Sequence, residues 1–270
     1  MDSTPRRRFA NILFRAIFTT LGAVAEIFAI ALLFDISSPL YFIIIAFFLI
    51  SITYLWDFYS YYYHELTKSH RGVAAIIIVI LIIGFFVAMF MKNKIVVASI
   101  SVTLVILELI YHKYLNEISK MFWAFKDIIT VFFWNTFILL FLLYSGVTGI
   151  ASTIFFLVFV FTRDLVNIAY CDLKDISTDR DNNFKTFATL LGKGHLFRAL
   201  TIINLFSILW IILGVSLGLL PSLAYFLIAP VFLTTILIPL SRSTQVYSTT
   251  TVDFEYYGWL LFLLIGKLFF

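Results

Sequence analysis

Asp172, Asp175 and Asp179 stand together in YCDLKDISTDRDNNFKTFATLLGKG, residues 170–194. The spacing i, i+3, i+7 places three carboxylates along one face of a helix. Like charges stacked in this way repel, and desolvation next to a membrane adds to the cost, so the array calls for a compensating cation. Aspartate oxygens are hard ligands. Mg²⁺ is commonly held by one or two carboxylates, with waters and substrate phosphate oxygens completing its shell. Asp181 and Arg180 are expected off this face. The competing reading is a solvated helix end whose acids pair with Lys174, Arg180 and Lys185. Position favours the metal site: the acids follow directly on an apolar run, and Lys185-Thr186 and a further apolar stretch to Gly192 come after them.

The elements that must hold these acids are set by composition. Of 270 residues, 62% are hydrophobic and 13% charged, and the mean hydropathy is +1.04. This lies outside the range of water-soluble domains, and apolar runs long enough to cross the roughly 30 Å hydrocarbon core as helices recur along the chain. The pattern predicts an all-α polytopic membrane protein with nine spans, at about 9–34, 39–59, 73–91, 95–115, 128–146, 149–170, 196–220, 222–240 and 254–270. Arg6, Arg7 and Arg8 precede the first span without a small-residue cleavage site, which predicts a retained helix and a cytoplasmic N-terminus. With that orientation the inner segments carry fifteen Lys and Arg, and the outer side only Lys92, Lys94 and Lys267. Such a bias is the expected one for cytoplasmic loops.

The inner connections 60–72, 112–127, 171–195 and 241–253 are the long ones, so polar chemistry is expected on the cytoplasmic side of a single domain, 1–270. The net charge of +4 reflects this basic inner belt; it suits anionic headgroups or a phosphorylated substrate and gives no indication of nucleic acid. The single Cys171 excludes an internal disulfide or a CxxC metal site. Arg15, Glu26 and Glu108 fall inside apolar spans, where an ionisable side chain either faces a functional cavity or pairs between helices.

The stretch CDLKDISTDRDNNFKTFATLLG resembles the second Asp-rich motif of the UbiA-type intramembrane prenyltransferases, D-x-x-D-x-x-x-D followed by a basic residue, Thr and an apolar run ending in Gly. Asp172, Asp175, Asp179, Lys185, Thr186 and Gly192 occupy its places, and FTRDLVN, residues 161–167, resembles the Arg-acid-Leu segment ahead of it. The resemblance implies that Asp172, Asp175 and Asp179 bind Mg²⁺ and the diphosphate of an isoprenoid donor, in a helical bundle around a central cavity open to the cytoplasm. The family's first Asp-rich motif corresponds to TYLWDFYSYYYHELTKSHR, residues 53–71. Asp57 takes the first acidic place, Tyr61 stands where an Asp is usual, and Glu65 stands for the last acid. Asp57 and Glu65 would be about 12 Å apart by helical rise, too far to share one ion. Arg71 occupies the place of the family's Pro-x-Arg arginine.

YHKYLNEISKMFWAFKDIITVFFWN, residues 111–135, resembles the family's Tyr-rich basic connection, which makes Lys113, Lys120 and Lys126 candidate diphosphate partners; each is equally well a positive-inside anchor. What the resemblance implies is Mg²⁺-dependent transfer of a prenyl group to an aromatic, quinone-precursor or lipid acceptor, with Asp57, Asp172 and Asp175 central to catalysis. Tyr61 leaves room for a different expectation, a non-catalytic isoprenoid- or lipid-binding protein of the same fold. A CDP-alcohol phosphotransferase would need an Asp-Gly and an Ala-Arg between its acids, and neither is present. A transporter would place its acids near the bilayer midplane rather than at the inner surface.

Overall fold

A computed structural model of the chain describes residues 5–37, 39–62, 68–90, 95–110, 116–147, 149–244 and 249–269. Glu65, His64 and Lys113 lie outside the described residues, as do the side chains of Arg15, Asp57, Tyr61, Arg71 and Glu108. The described residues are helical, with no strand among them. The chain divides into two compact units, Met1–Val24 with Ser38–His112, and Ala25–Ser37 with Lys113–Phe270.

The first unit is built from α2 (Leu40–Tyr62), α3 (Lys68–Phe90) and α4 (Ile95–Ile110), with the start of α1 (Pro5–Leu33). Phe42, Ile45, Leu49 and Ile52 recur every three or four residues on α2 and are buried. The outward positions are apolar too: Leu40, Ile44 and Phe47 on α2, and Val73, Ile76, Ile80 and Val87 on α3, are exposed. A helix that is apolar all round is solvated by lipid rather than water.

The second unit contains the end of α1, a short α5 (Asn116–Met121), then α6 (Phe125–Ser145), α7 (Ile150–Asp181), α8 (Phe187–Ser216), a 3₁₀ segment (Ser222–Leu227), α9 (Ile228–Thr244) and α10 (Thr249–Gly266). α7 is its axis, packed against α6, α8 and α10. Phe159 of α7 stacks on Trp259 of α10 with ring centroids 5.1 Å apart, and Phe155 stacks on Trp210 of α8 at 4.1 Å. The Trp210 indole N–H also donates to the Phe155 carbonyl at 2.9 Å, so a half-buried ring keeps its polar edge satisfied.

Every stretch expected to span carries a described helix. Four meet the length and apolarity needed to cross a membrane, namely Phe125–Ser145, Ile150–Asp181, Phe187–Ser216 and Ser222–Ser241. Shorter apolar helices cover Phe18–Leu33, Phe42–Thr53 and Ala75–Ala88. One boundary follows the expectation that the acids continue the sixth span as a helix, and one differs from expectation. α7 runs 32 residues as one helix, about 48 Å at 1.5 Å per residue, so its acidic end continues beyond a hydrocarbon core without a break. α8 starts at Phe187 and is broken at Gly192, where φ 69 and ψ 163 leave helical space. Glycine adopts that backbone without the steric cost a side chain would meet.

Candidate functional site

The polar end of α7 meets two helix beginnings. Ala124, in the left-handed region at φ 50, caps α6, and its N–H donates to the Lys185 carbonyl at 2.6 Å. Asp127, in the first turn of α6, accepts the Phe187 N–H at 2.6 Å through Oδ2 and so satisfies the first amide of α8. Thr186 caps the same helix, accepting the Thr189 N–H on its hydroxyl at 3.2 Å. Both arrangements follow a general need, since the first amides of a helix have no intrahelical acceptor and carry partial positive charge.

Against these stitched ends stand the aspartates of α7. Lys126 Nζ lies 3.4 Å from Asp172 Oδ1, and 3.4 and 3.5 Å from the two oxygens of Asp179. It also sits 5.7 Å from the Phe184 ring centroid, close enough for attraction to the ring face. Asp172 and Asp179 are seven residues apart, about 20° in helical azimuth, and both are buried. Asp175 is turned about 60° from Asp172 and about 40° from Asp179; its side chain is half exposed, and its Oδ2 lies 3.9 Å from Lys174 Nζ. The three acids therefore share a side of the helix, but only two share a cation. Arg180 and Asp181 are exposed, off the working face.

The remaining expected cations take other places. Lys120 pairs with the exposed Glu117 at 2.6 Å and lies 6.0 Å from the Phe184 ring on which Lys126 also rests. Lys185 donates to the Met121 carbonyl at 3.0 Å, holding the connection between α5 and α6. Asp57, Glu65, Arg71 and Lys113, also expected at the site, lie outside the described side chains.

Asp127 is the carboxylate that sequence reasoning missed. It is fully buried, and its carboxyl is within hydrogen-bonding reach of that of Asp172. Asp127 Oδ1 and Asp172 Oδ2 are both buried without a hydrogen-bond partner among the described residues. In sequence, Lys126-Asp127 reads as an ordinary acid in a helix's first turn; its partners are 45 or more residues away.

Deeper along α7 lies a second polar cluster. Arg163, counted among the inner cations by sequence, is buried in the unit's interior. Its Nε and Nη2 donate to the two oxygens of Glu255 at 2.6 and 2.5 Å, and Nη1 donates to Asn204 Oδ1 at 2.5 Å. One residue on, Asp164 accepts from the Tyr256 hydroxyl at 2.7 Å and from Asn135 Nδ2 at 3.3 Å. Asn167 Nδ2 donates to Asp253 Oδ1 at 2.9 Å. FTRDLVN is thus the α7 side of a polar ladder with α10. Glu26 of α1 is buried within electrostatic reach of Asp164 and Glu255, and its Oε1 has no hydrogen-bond partner among the described residues. Its charged neighbours of like sign are thus the two carboxyl groups that meet Tyr256 and Arg163.

No group of three or more His, Cys, Asp or Glu side chains that could hold a metal occurs among the described residues. Mg²⁺ does not require one, because it keeps several waters and takes phosphate oxygens alongside one or two carboxylates. The pair of partnerless carboxylate oxygens on α6 and α7 is a donor set of that kind. No family model, curated protein or solved structure matches the chain.

Proposed function

We propose that the chain is a multi-pass intramembrane prenyltransferase of the UbiA type, which transfers a prenyl group from an isoprenyl diphosphate to a hydrophobic acceptor. The observation that carries the reading is Lys126 between buried Asp172 and Asp179 at the end of an apolar helix, within the motif whose resemblance points to diphosphate chemistry. In this proposal the nine spans surround a cavity that opens to the cytoplasmic side, where the N-terminus also lies.

A divalent cation, when bound, supplies charge neutralisation for the departing diphosphate. Asp172 and Asp179 offer oxygens to hold it, and Lys126 presents a positive charge to phosphate oxygens from the same face. Asp175, half exposed, is placed to meet a ligand entering from the aqueous side. As the allylic C–O bond lengthens, positive charge fixed beforehand by α6 and α7 stabilises the leaving group without reorganisation. The apolar interior keeps water from the allylic centre until the acceptor attacks. Asp57, Glu65, Arg71, Lys113, Lys120 and Lys185, expected from the resemblance, enter the proposal as residues to be tested by substitution.

The test is release of diphosphate by purified protein given Mg²⁺, labelled prenyl diphosphates of several lengths and a lipid-extract panel of acceptors. The expected result is turnover that Asp172→Asn lowers by about 10²-fold or more, the usual cost of losing a charge-stabilising group. Wild type indistinguishable from Asp172→Asn and from a no-protein control would overturn the proposal.

A further inference from the structure

Two carboxyl oxygens of the second unit meet without a donor to satisfy them. Asp127 Oδ1 and Asp172 Oδ2 are both buried and partnerless among the described residues, and their carboxyl groups are within hydrogen-bonding reach of each other. The opposite oxygen of each is already engaged. Asp127 Oδ2 holds the Phe187 N–H at 2.6 Å, and Asp172 Oδ1 faces Lys126 Nζ at 3.4 Å. The start of α6, which carries Asp127, is held as well, since the Ala124 N–H is bonded to the Lys185 carbonyl at 2.6 Å. The two oxygens cannot simply turn away from one another to reach water.

The charges around this point decide what is missing. Asp127, Asp172 and Asp179 contribute three negative charges when ionised and Lys126 one positive charge, which leaves an excess of two. A dication balances that excess, whereas one shared proton leaves it half met. Carboxylate oxygens from two helices, with open positions for water and phosphate, make the ligand set that Mg²⁺ accepts.

We propose that Asp127 Oδ1 and Asp172 Oδ2 jointly ligate a divalent cation of Mg²⁺ size, with Asp127 as a metal ligand outside the acid-rich pattern of residues 172–179. The choice of metal rests on the reading of this site as one for a metal-bound diphosphate. The position of Asp127 gives the ion a ligand from α6, so its coordination does not depend on α7 alone. It also explains why a partnerless acid is tied so firmly to the first amide of α8: that bond aims the free oxygen.

Mn²⁺ serves as the probe, with its free concentration read by electron paramagnetic resonance in the detergent-solubilised full chain. Wild type is expected to bind Mn²⁺ and melt at a higher temperature with it than in chelator. Asp127→Asn is expected to weaken Mn²⁺ binding by about tenfold or more and to lose the metal-dependent rise. Its amide can keep the Phe187 N–H on oxygen and donate to Asp172 Oδ2, so in chelator it should melt above wild type. Asp127→Ser, whose shorter side chain carries no carboxyl, repeats the comparison if the amide variant folds poorly. Mn²⁺ affinity in either variant within about twofold of wild type would overturn the inference, because a lost ligand costs more than that. A wild type that binds no Mn²⁺ at millimolar concentration would overturn it together with the metal-dependent reaction. Binding lost in Asp127→Asn, alongside a wild type that releases no diphosphate, would support the site and overturn the enzyme reading alone.

Discussion

Arg163 brings a guanidinium into an apolar interior, and Glu255 meets it with both oxygens at 2.6 and 2.5 Å. A buried pair of this kind adds little net stability over a well-packed apolar pair, but removing one partner strands a charge. Arg163→Met should therefore destabilise the protein by about 3–5 kcal/mol, and Arg163→Met with Glu255→Met should recover most of that loss. Unfolding in mixed micelles, with the two single variants and the double, measures both. At the same scale Lys126→Met leaves Asp172 and Asp179 without their shared cation. Inorganic diphosphate should then bind with an affinity lower by roughly tenfold, the loss of about 1.4 kcal/mol that one charge-assisted contact represents, as read by calorimetry. Residues of this kind were unevenly legible in sequence. Asp172 and Asp179 announce themselves because four acids in ten residues are unusual in so apolar a chain. Asp127 does not, because its meaning depends on Asp172 and Phe187, which only folding brings to it.

The helices were more legible than the residues, for a physical reason: a lipid-crossing stretch must be long and apolar, and both properties can be counted along a chain. Their ends were less so. The start of α8 was expected at 196, yet it begins at Phe187 because Thr186 and Asp127 between them satisfy its first amides. Helix contacts were invisible in sequence, and glycines show why. At Gly258 of α10 an added Cβ would lie 2.9 Å from the Pro230 Cβ of α9, and a proline ring cannot swing aside. Gly194, in α8, has nothing within 4 Å of an added Cβ. Gly258→Ala should thus cost about 1–3 kcal/mol through overpacking, while Gly194→Ala should be neutral or gain about 0.5–1 kcal/mol from helix propensity. Thermal unfolding of the two variants side by side provides the comparison, each serving as the other's control.

For the molecule as a whole, the orientation drawn from cation counts has a definite consequence at the end of the second unit away from the acids. Asp35, after α1, and Lys267, after α10, form an ion pair at 2.8 Å. The positive-inside pattern assigns both to the outer side. In a variant with Cys171→Ser, Asp35→Cys should react with a membrane-impermeant thiol reagent added to intact cells, whereas Arg180→Cys should react only after permeabilisation. The reverse labelling would invert the proposed topology. α7 links the two ends in a further sense. The same unbroken helix carries Arg163, locked to Glu255, and Asp172 and Asp179, gathered around Lys126. It behaves as a shaft rather than a string: a rotation that carried the aspartates away from Lys126 would also drag the guanidinium off its carboxylate about 13 Å further along. The contacts of α7 with Lys126 of α6 and with Glu255 of α10 therefore hang on one element, and neither set can shift by rotation of that helix without the other.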